Sequence, residues 1–340
     1  MTTVFTRTPV RITFVGGGSD LPSFYMSDRI GGVTVAAAIN YYVNVIVHDS
    51  SENNFKVVYS QREVVENCDQ IKHPAARAAL QMIDVGRYIE VISLADVSSR
   101  GTGLGTSSSY VVGLVNALAN YRQLLRTDNQ ISEKYKGMSY REWLARTAVH
   151  IERNMLKEAG GKQDQYIASY GGIQRFDFLP DEKVRVHKVS LDAKRLKRFQ
   201  EHLLLINTGI NRSSSDMHHA NMKNDNTAIY SKMRDMAEQY YIDLSEGQWE
   251  STGEMLAKTW ELKKKLGQVT TSDIDTLYKR TLELGAEGGK LLGAGMGGYL
   301  MVYAAPDSQK RIIKELGLQR NSVLRLKFDL EGSSTVYTNP

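Results

Sequence analysis

The chain is poor in cysteine and proline, and each scarcity excludes a class of protein. Cys68 is the single cysteine, so no internal disulfide can form, and a reducing, intracellular setting is expected. The chain has only 6 prolines, and 41% of its residues are hydrophobic, which is typical of a folded globular protein and not of a disordered one.

Long apolar runs and a signal peptide are lacking as well. The longest apolar stretch, from Gly32 to Val47, is interrupted by Asn40 and Asn44 and is too short and too polar to span a bilayer. The first residues lack the charged segment and the long apolar core of a secretory signal. We therefore expect a cytoplasmic protein without a membrane partner.

No region of the sequence concentrates the positive charge. The net charge of +5 suits an anionic substrate, but the lysines and arginines are scattered and do not alternate with aromatic residues. A nucleic-acid partner is therefore disfavoured. The length of 340 residues fits two domains. A change from mixed strands and helices to mostly helices predicts a boundary near residue 190, which divides the chain into 1–190 and 191–340.

Local patterns predict several elements along the chain. A strand from Val4 to Val15 ends in three glycines, and the β-rich stretches Val33 to His48 and Phe55 to Tyr59 predict a hairpin. Ser139 opens a helix through a capping box, and the glycine pair 160–161 is expected to end it. Long polar helices are expected from Met217 to Gly288.

The most informative stretch is a glycine-rich loop between a strand and a helix. The apolar segment Tyr88 to Leu94 leads into the loop, and an apolar helical run begins at Tyr110. This order lets backbone N–H groups converge on an anion at the positive end of a helix. We predict a nucleotide-phosphate site here, formed by Gly101, Gly103, Leu104, Gly105, Thr106, Ser107, Ser108 and Ser109. A plain glycine- and serine-rich linker is the alternative.

Neither of the common phosphate-loop patterns fits the chain. The loop contains no lysine, and the two Gly-Lys pairs, at Lys162 and Lys290, are followed by Gln163 and Leu291 where a P-loop needs serine or threonine. The segment Gly293 to Gly298 formally matches a dinucleotide fingerprint, but we expect a helix before it and a strand after it, the reverse of that motif. Close backbone packing near a ligand is the better interpretation.

Four charged residues are candidates for chemistry. Glu152 lies on the capped helix and Asp164 lies just beyond it, so one carboxylate can hold Mg²⁺ while the other accepts a hydroxyl proton in phosphoryl transfer. Arg11, near the end of the first strand, can balance phosphate charge. Asp20 can cap a helix or bind sugar hydroxyls. For each residue a solvated surface role is the alternative.

Three motifs, in order, resemble those of the GHMP kinases, the superfamily of galactokinase, homoserine kinase and mevalonate kinase. The segment Thr8 to Asp20 is similar to the first, substrate-side motif, and Gly103 to Ser109 is similar to the second, which surrounds the ATP phosphates. The segment Leu292 to Gly298 is similar to the third. The resemblance implies an α+β, two-layer α/β fold, with a ribosomal-S5-like N-terminal domain (1–190) that carries the ATP and substrate motifs and a ferredoxin-like C-terminal domain (191–340).

The resemblance also implies roles for individual residues. Asp164 would be the base and Arg11 would balance charge, while Ser107 and Glu152 would serve Mg²⁺. The chain has serines at 108 and 109 where the superfamily usually has alanines. The serine whose hydroxyl meets the metal could therefore be shifted by one position from Ser107. The remaining predicted substrate-binding residues are Gly17, Gly18, Ser19, Asp20, Gly295 and Gly297.

The segments Gly16 to Pro22 and Gly161 to Tyr166 resemble those of the family's sugar kinases that act on D-glycero-D-manno-heptose 7-phosphate. This implies ATP-dependent phosphorylation at O1, in nucleotide-activated heptose biosynthesis for a capsule or other surface polysaccharide, by a monomer or homodimer. Arg212 is our candidate for the 7-phosphate. The alternatives are a kinase for fucose or an unphosphorylated heptose, and a sugar-sensing homologue without catalysis.

Overall fold

The computed structural model describes residues 1–98, 101–122, 137–210 and 225–339. Within these ranges it contains ten α-helices and two β-sheets of eight and four strands. The strands are β1 (Thr3–Val15), β2 (Gly32–Asp49), β3 (Phe55–Val58), β4 (Arg62–Val65), β5 (Ile89–Ala95), β6 (Ile173–Phe178), β7 (Val184–Lys188), β8 (Leu203–Asn207), β9 (Gly288–Leu291), β10 (Tyr299–Tyr303), β11 (Val323–Arg325) and β12 (Ser334–Asn339).

The helices lie between these strands, five in each half of the chain. They are α1 (Pro22–Tyr25), α2 (Pro74–Met82), α3 (Thr106–Tyr121), α4 (Tyr140–Val149), α5 (Gln163–Tyr170), α6 (Ala193–Glu201), α7 (Thr227–Ser245), α8 (Thr252–Lys264), α9 (Ser272–Glu283) and α10 (Pro306–Glu315). A π-helical segment, His150–Met155, continues α4, and short 3₁₀ turns lie at Cys68–Gln70, Trp249–Ser251 and Arg320–Ser322.

The first sheet is built around the long strands β1 and β2. Its order is β12-β1-β2-β5-β3-β4, and β6, which itself pairs with β7, pairs with the first half of β2. The pairing of β1 with β2 is antiparallel and runs along nearly the whole of both strands. From Thr8 onward β1 is buried on both faces, because α3, itself buried at most positions, packs against it. The end of β1 is therefore held rigidly inside the protein.

The second sheet has the order β11-β8-β10-β9, and all its pairs are antiparallel. Alternate residues of β8 face opposite sides, as the period of a strand requires. Leu203 and Leu205 join the core shared with the first sheet, while Leu204 and Ile206 join a second core. In that second core α8, α9 and α10 contribute Trp260, Ile274 and Ile312. The two sheets are thus joined through a common apolar layer.

Several sequence predictions are confirmed and others are wrong. The mixed α/β fold and the first strand are as expected, and so are the helices predicted between Met217 and Gly288, of which residues 217–224 lie outside the described ranges. The predicted hairpin of β2 with β3 is wrong, because β5 pairs with both strands and separates them. A strand, β9, precedes Gly293 where a helix was expected. The α4 helix and its π-helical extension end at Met155, before the predicted stop at Gly160.

The last strand, β12, returns to the first sheet and pairs with β1.

The division of the chain at residue 190 stays a prediction. Within the described residues, no helix combines the length and the apolar character needed to cross a membrane.

Candidate active site

A bidentate ion pair joins Arg11, near the end of β1, to Asp164, in the first turn of α5. Arg11 Nε donates to Asp164 Oδ1 at 2.8 Å, and Arg11 Nη2 donates to Asp164 Oδ2 at 2.6 Å. The backbone N–H of Arg11 donates to the carbonyl of Leu104 at 2.9 Å, and its Nη1 donates to the carbonyl of Gly103. The side chain of Arg11 is 7% exposed and that of Asp164 is 22% exposed. Two segments that are far apart in sequence therefore meet at the glycine loop.

The glycine loop turns sharply at Gly103 and Gly105, which both have φ of +72°. Gly105 is the N-cap of α3, and no side chain of the described residues caps this helix. Its first N–H groups are therefore available to an anion. A Cβ on Gly105 would lie 3.1 Å from Asp164 Oδ2 and 3.2 Å from Arg11 Nε. The side of Gly105 that lacks a Cβ thus faces the ion pair of Arg11 and Asp164, and the start of α3 lies beside this ion pair.

Glu152 is buried in the π-helical segment and is held by two polar neighbours. Ser108 Oγ donates to both carboxylate oxygens, at 2.9 and 3.1 Å, and Gln165 Nε2 donates to Oε2. Burial raises the pKa of Glu152 to about 7, although these hydrogen bonds and the charge of Arg153 oppose the rise. The other amide atom, Gln165 Oε1, is buried without a hydrogen-bond partner among the described residues. Glu152 and Ser108 both line the central cavity.

Asp20 lines the same cavity as the glycine loop and is 2% exposed. It accepts hydrogen bonds from the backbone N–H of Gly18 at 3.1 Å and from the backbone N–H and Nε2 of Gln163, each at 3.2 Å. Burial, and then the negative charge of Asp164, raise its pKa. A Cβ on Gly161 would lie 1.8 Å from Asp20 Oδ2. Asp20 is therefore built into the site and does not cap a helix, since Leu21 is the N-cap of α1.

The other predicted residues divide into those that face the cavity and those that do not. Ser19 and Ser109 turn into the protein, because Ser19 Oγ donates to the carbonyls of Gly16 and Val33 and Ser109 Oγ donates to those of Pro9 and Gly105. Leu104 is fully buried in the core. The cavity is lined by Gly17, Gly18, Gly101, Gly103, Gly105, Thr106, Ser107, Ser108, Gly295 and Gly297. Ser107 is exposed, and Ser108 is the serine beside Glu152. Arg212 lies outside the described residues.

Sequence reasoning missed two lysines of the cavity. Lys263, at the end of α8, and Lys290, on β9, both line it. Lys290 belongs to a Gly-Lys pair that fails the P-loop pattern, and Lys263 is one of three consecutive lysines on a polar helix. Neither position carries a local signal of function. Tyr230, on α7, also lines the cavity and packs its ring against Gly18, where a Cβ would lie 2.5 Å from Tyr230 Cε1.

A second cavity adjoins the first at Ser107 and Glu152. Its walls include the rings of Tyr59, His73 and Tyr110, and His73 lies with its centroid 4.8 Å from that of Tyr59 and 5.0 Å from that of Tyr110. Burial lowers the pKa of His73. The described residues contain no group of three or more His, Cys, Asp or Glu side chains that could hold a metal by themselves.

Comparisons with known proteins agree with this geometry. The family model for the GHMP kinases N terminal domain matches residues 73–172, and that for the GHMP kinases C terminal matches residues 241–319, together more than half of the chain. The chain is 27% identical, over 98% of its length and 98% of the other protein, to D-glycero-alpha-D-manno-heptose 7-phosphate kinase of Campylobacter jejuni.

Two further proteins are similar over most of this chain. The chain is 27% identical over 92% of its length to an L-fucokinase/L-fucose-1-P guanylyltransferase of Bacteroides fragilis, of which the match covers 36%. The crystal structure of a D-glycero-D-manno-heptose 1-phosphate kinase from Bacteroides thetaiotaomicron has the same fold, with a TM-score of 0.76 at 22% identity over 100% of both chains.

A glycine loop that opens a helix beside an arginine-bound carboxylate is an arrangement suited to phosphoryl transfer. The two family-model matches agree with this arrangement, and their ranges include the second and third motifs of the sequence. The chain belongs to the GHMP kinase family, and it is an ATP-dependent kinase.

Proposed function

We propose that the protein transfers the γ-phosphoryl group of ATP to O1 of D-glycero-D-manno-heptose 7-phosphate and so forms the 1,7-bisphosphate. The observation that carries the proposal is the bidentate pair of Arg11 and Asp164 beside the glycine loop. The relative from C. jejuni, which matches nearly end to end, is a kinase for a heptose 7-phosphate. The motifs around Asp20 and Asp164 support the same substrate class.

Asp164 is the proposed base. Its carboxylate is fixed by two hydrogen bonds from Arg11, so one oxygen can be aimed at a bound hydroxyl while the guanidinium balances phosphate charge. As the new bond from O1 to the γ-phosphorus forms, the bond to the β,γ-bridging oxygen breaks and ADP leaves. The hydroxyl proton passes to Asp164.

Glu152 and Ser108 fit a magnesium site. Mg²⁺ prefers hard oxygen ligands and commonly takes one or two carboxylates together with phosphate oxygens and waters. The buried carboxylate of Glu152 and the hydroxyl of Ser108 supply such oxygens in the wall of the cavity. When bound, the ion would neutralise the nucleotide phosphates. Because Ser108 donates hydrogen bonds to both carboxylate oxygens of Glu152, we propose Ser108 as the serine that serves the metal.

The nucleotide and the sugar would occupy different parts of the cleft. The uncapped start of α3 suits the phosphates of ATP. The second cavity, with the rings of Tyr59, His73 and Tyr110, suits the adenine ring of ATP. Asp20, Gly17 and Tyr230 line the first cavity but not the second, and we assign the sugar to this part of the first cavity. Carboxylates with fixed partners and aromatic faces are a combination that binds sugar hydroxyls and ring faces.

The proposal is tested by measuring ADP release with a panel of acceptors, followed by NMR location of the new phosphate. We expect the highest kcat/KM with D-glycero-D-manno-heptose 7-phosphate and a phosphate at O1. A higher kcat/KM with fucose or with the unphosphorylated heptose would favour the other sugar kinases. Sugar binding without any ADP release would favour a sensor. Under the proposal, the product enters nucleotide-activated heptose biosynthesis for a capsule or other surface polysaccharide, and the enzyme acts in the cytoplasm as a monomer or homodimer.

A further inference from the structure

Two of the side chains that line the cavity are lysines that donate to backbone carbonyls. Lys263 Nζ donates to the carbonyl of Leu291 at 3.0 Å and to that of Gly293 at 2.5 Å. Lys290, which is 4% exposed, donates from Nζ to the carbonyl of Phe14 at 2.9 Å. Among the described residues, neither ammonium is paired with Asp or Glu, although many exposed lysines of the chain are. Carbonyl dipoles compensate poorly for the lost hydration of a buried cation such as that of Lys290, whereas Lys263 is half-buried.

The neighbours of the two lysines make their charge still more costly. Burial and the charge of Arg11 lower the pKa of Lys263 to about 7. Burial and the charges of Lys263 and Arg11 hold the pKa of Lys290 well below its ordinary value. Three basic side chains thus line one cavity, in which Asp164 is bound to Arg11 by an ion pair. A bound anion would relieve the repulsion.

The position of Lys263 indicates which anion. Its amine is held at the entrance to the glycine loop Gly293–Gly298, and that loop touches the phosphate loop, since a Cβ on Gly293 would lie 2.5 Å from the Cα of Gly103. Arg11 Nη1 donates to the carbonyl of the same Gly103. The lysines therefore lie beside the point where the phosphate loop meets the ion pair. The phosphate loop itself contains no lysine.

We propose that Lys263 and Lys290 face the terminal phosphoryl group of the bound nucleotide and supply from α8 and β9 the positive charge that the phosphate loop lacks. This inference rests on the proposed function, because it assumes ATP in the cleft. In P-loop enzymes a lysine of the loop itself meets the β- and γ-phosphates. Here the equivalent charge comes from residues about 160–190 positions later in the chain.

The test compares nucleotide affinities of the full-length protein and its variants by calorimetry, with Mg²⁺ and either ADP or the non-hydrolysable analogue AMP-PNP. Lys263→Met should weaken AMP-PNP binding about tenfold or more and ADP binding less than threefold. Lys263→Arg should keep most of the affinity, because the charge remains. Lys258→Met is the matched control on the same helix, since Lys258 is 59% exposed and pairs with Glu254 at 2.6 Å. It should bind both nucleotides as the unmodified protein does.

The number of protons taken up on nucleotide binding gives a second measurement. Replacing Lys263 would not change this number if the lysine had only a structural role. At pH 8 an amine with a pKa of about 7 is mostly neutral, and an adjacent phosphate favours its protonation. Binding of AMP-PNP should therefore take up protons, measured in buffers of different ionisation enthalpy, and Lys263→Met should reduce the uptake. The charged groups around this amine are Arg11 on β1, Lys290 on β9 and, through Arg11, Asp164 on α5.

Two outcomes would overturn the proposal. If Lys263→Met and Lys290→Met raise the KM of the sugar phosphate tenfold and leave AMP-PNP affinity unchanged, the pair binds the acceptor. If both affinities and the proton uptake stay unchanged, the pair is structural. A failure of the proposed function appears differently: the unmodified protein would bind AMP-PNP but phosphorylate none of the sugars, and the lysine variants would still decide this proposal.

Discussion

Replacing Gly105 by alanine tests whether the glycine loop and the ion pair form one reaction centre. Gly105 has φ of +72°, and Gly86, in an open turn with nothing within 4 Å of its missing Cβ, has φ of +68°. An L-residue in this region costs about 1–2 kcal/mol. Gly86→Ala and Gly105→Ala should therefore lose a similar amount of stability from backbone strain alone.

The two variants should differ in catalysis. The Cβ of Gly105→Ala would lie 3.1 Å from Asp164 Oδ2 and 3.2 Å from Arg11 Nε and Cγ, which is a few tenths of an ångström too close. The pair must shift by that amount. Since a misplacement of about 1 Å can cost about 100-fold in rate, we expect a loss of about tenfold in kcat, or about 1.4 kcal/mol in the barrier.

The assay combines denaturant unfolding with steady-state kinetics at saturating ATP and sugar phosphate. Gly86→Ala should be destabilised but fully active once folded. If Gly105→Ala matched it in both stability and kcat, the assignment of the reaction centre to this face of the loop would be refuted.

The remaining predictions concern the three carboxylates. Asp164→Asn should lower kcat by about 10²–10⁴ and leave the Kd for ATP unchanged, because a positioned base contributes about that factor. Glu152→Gln should raise the half-saturating Mg²⁺ concentration about tenfold or more. In the unmodified enzyme the half-saturating Mg²⁺ concentration should decrease as the pH is raised from 6 to 8, because the raised pKa of about 7 leaves Glu152 protonated at the lower pH. Asp20→Asn should raise the KM of the sugar phosphate about tenfold without changing nucleotide affinity, as separate titrations of the two substrates would measure.

The sequence alone was sufficient to predict those features whose structure depends on residues adjacent in the sequence. Gly103 and Gly105 adopt left-handed turns that favour glycine, and Ser139 Oγ accepts from the N–H of Glu142 at 3.2 Å as an N-cap. The helical character after residue 226 is also a local property. Because the motifs are built from such local features, the family could be recognised from the sequence alone.

Pairing between distant segments was less predictable. The β2–β3 hairpin was inferred from adjacency in sequence, but β5 lies between the two strands and pairs antiparallel with β2 and parallel with β3. Asp20 follows three glycines and precedes Pro22 like a helix cap, yet its partners are Gly18 and Gln163. Ser107 and Ser108 differ by about 100° around a helix, and only the packing of α3 decides that Ser108 meets Glu152.

What the sequence by itself determined is the set of turns, caps and glycine motifs, since each follows from the backbone preferences of a few adjacent residues. What only the tertiary structure decided is which charges share the cleft. The meeting of Arg11 with Asp164 was inferred from the family resemblance, but Lys263 and Lys290 carry no local pattern. Their approach to the phosphate loop depends on α8 and β9 packing against the end of β1, and Coulomb interactions depend on distance in space and not on separation in sequence.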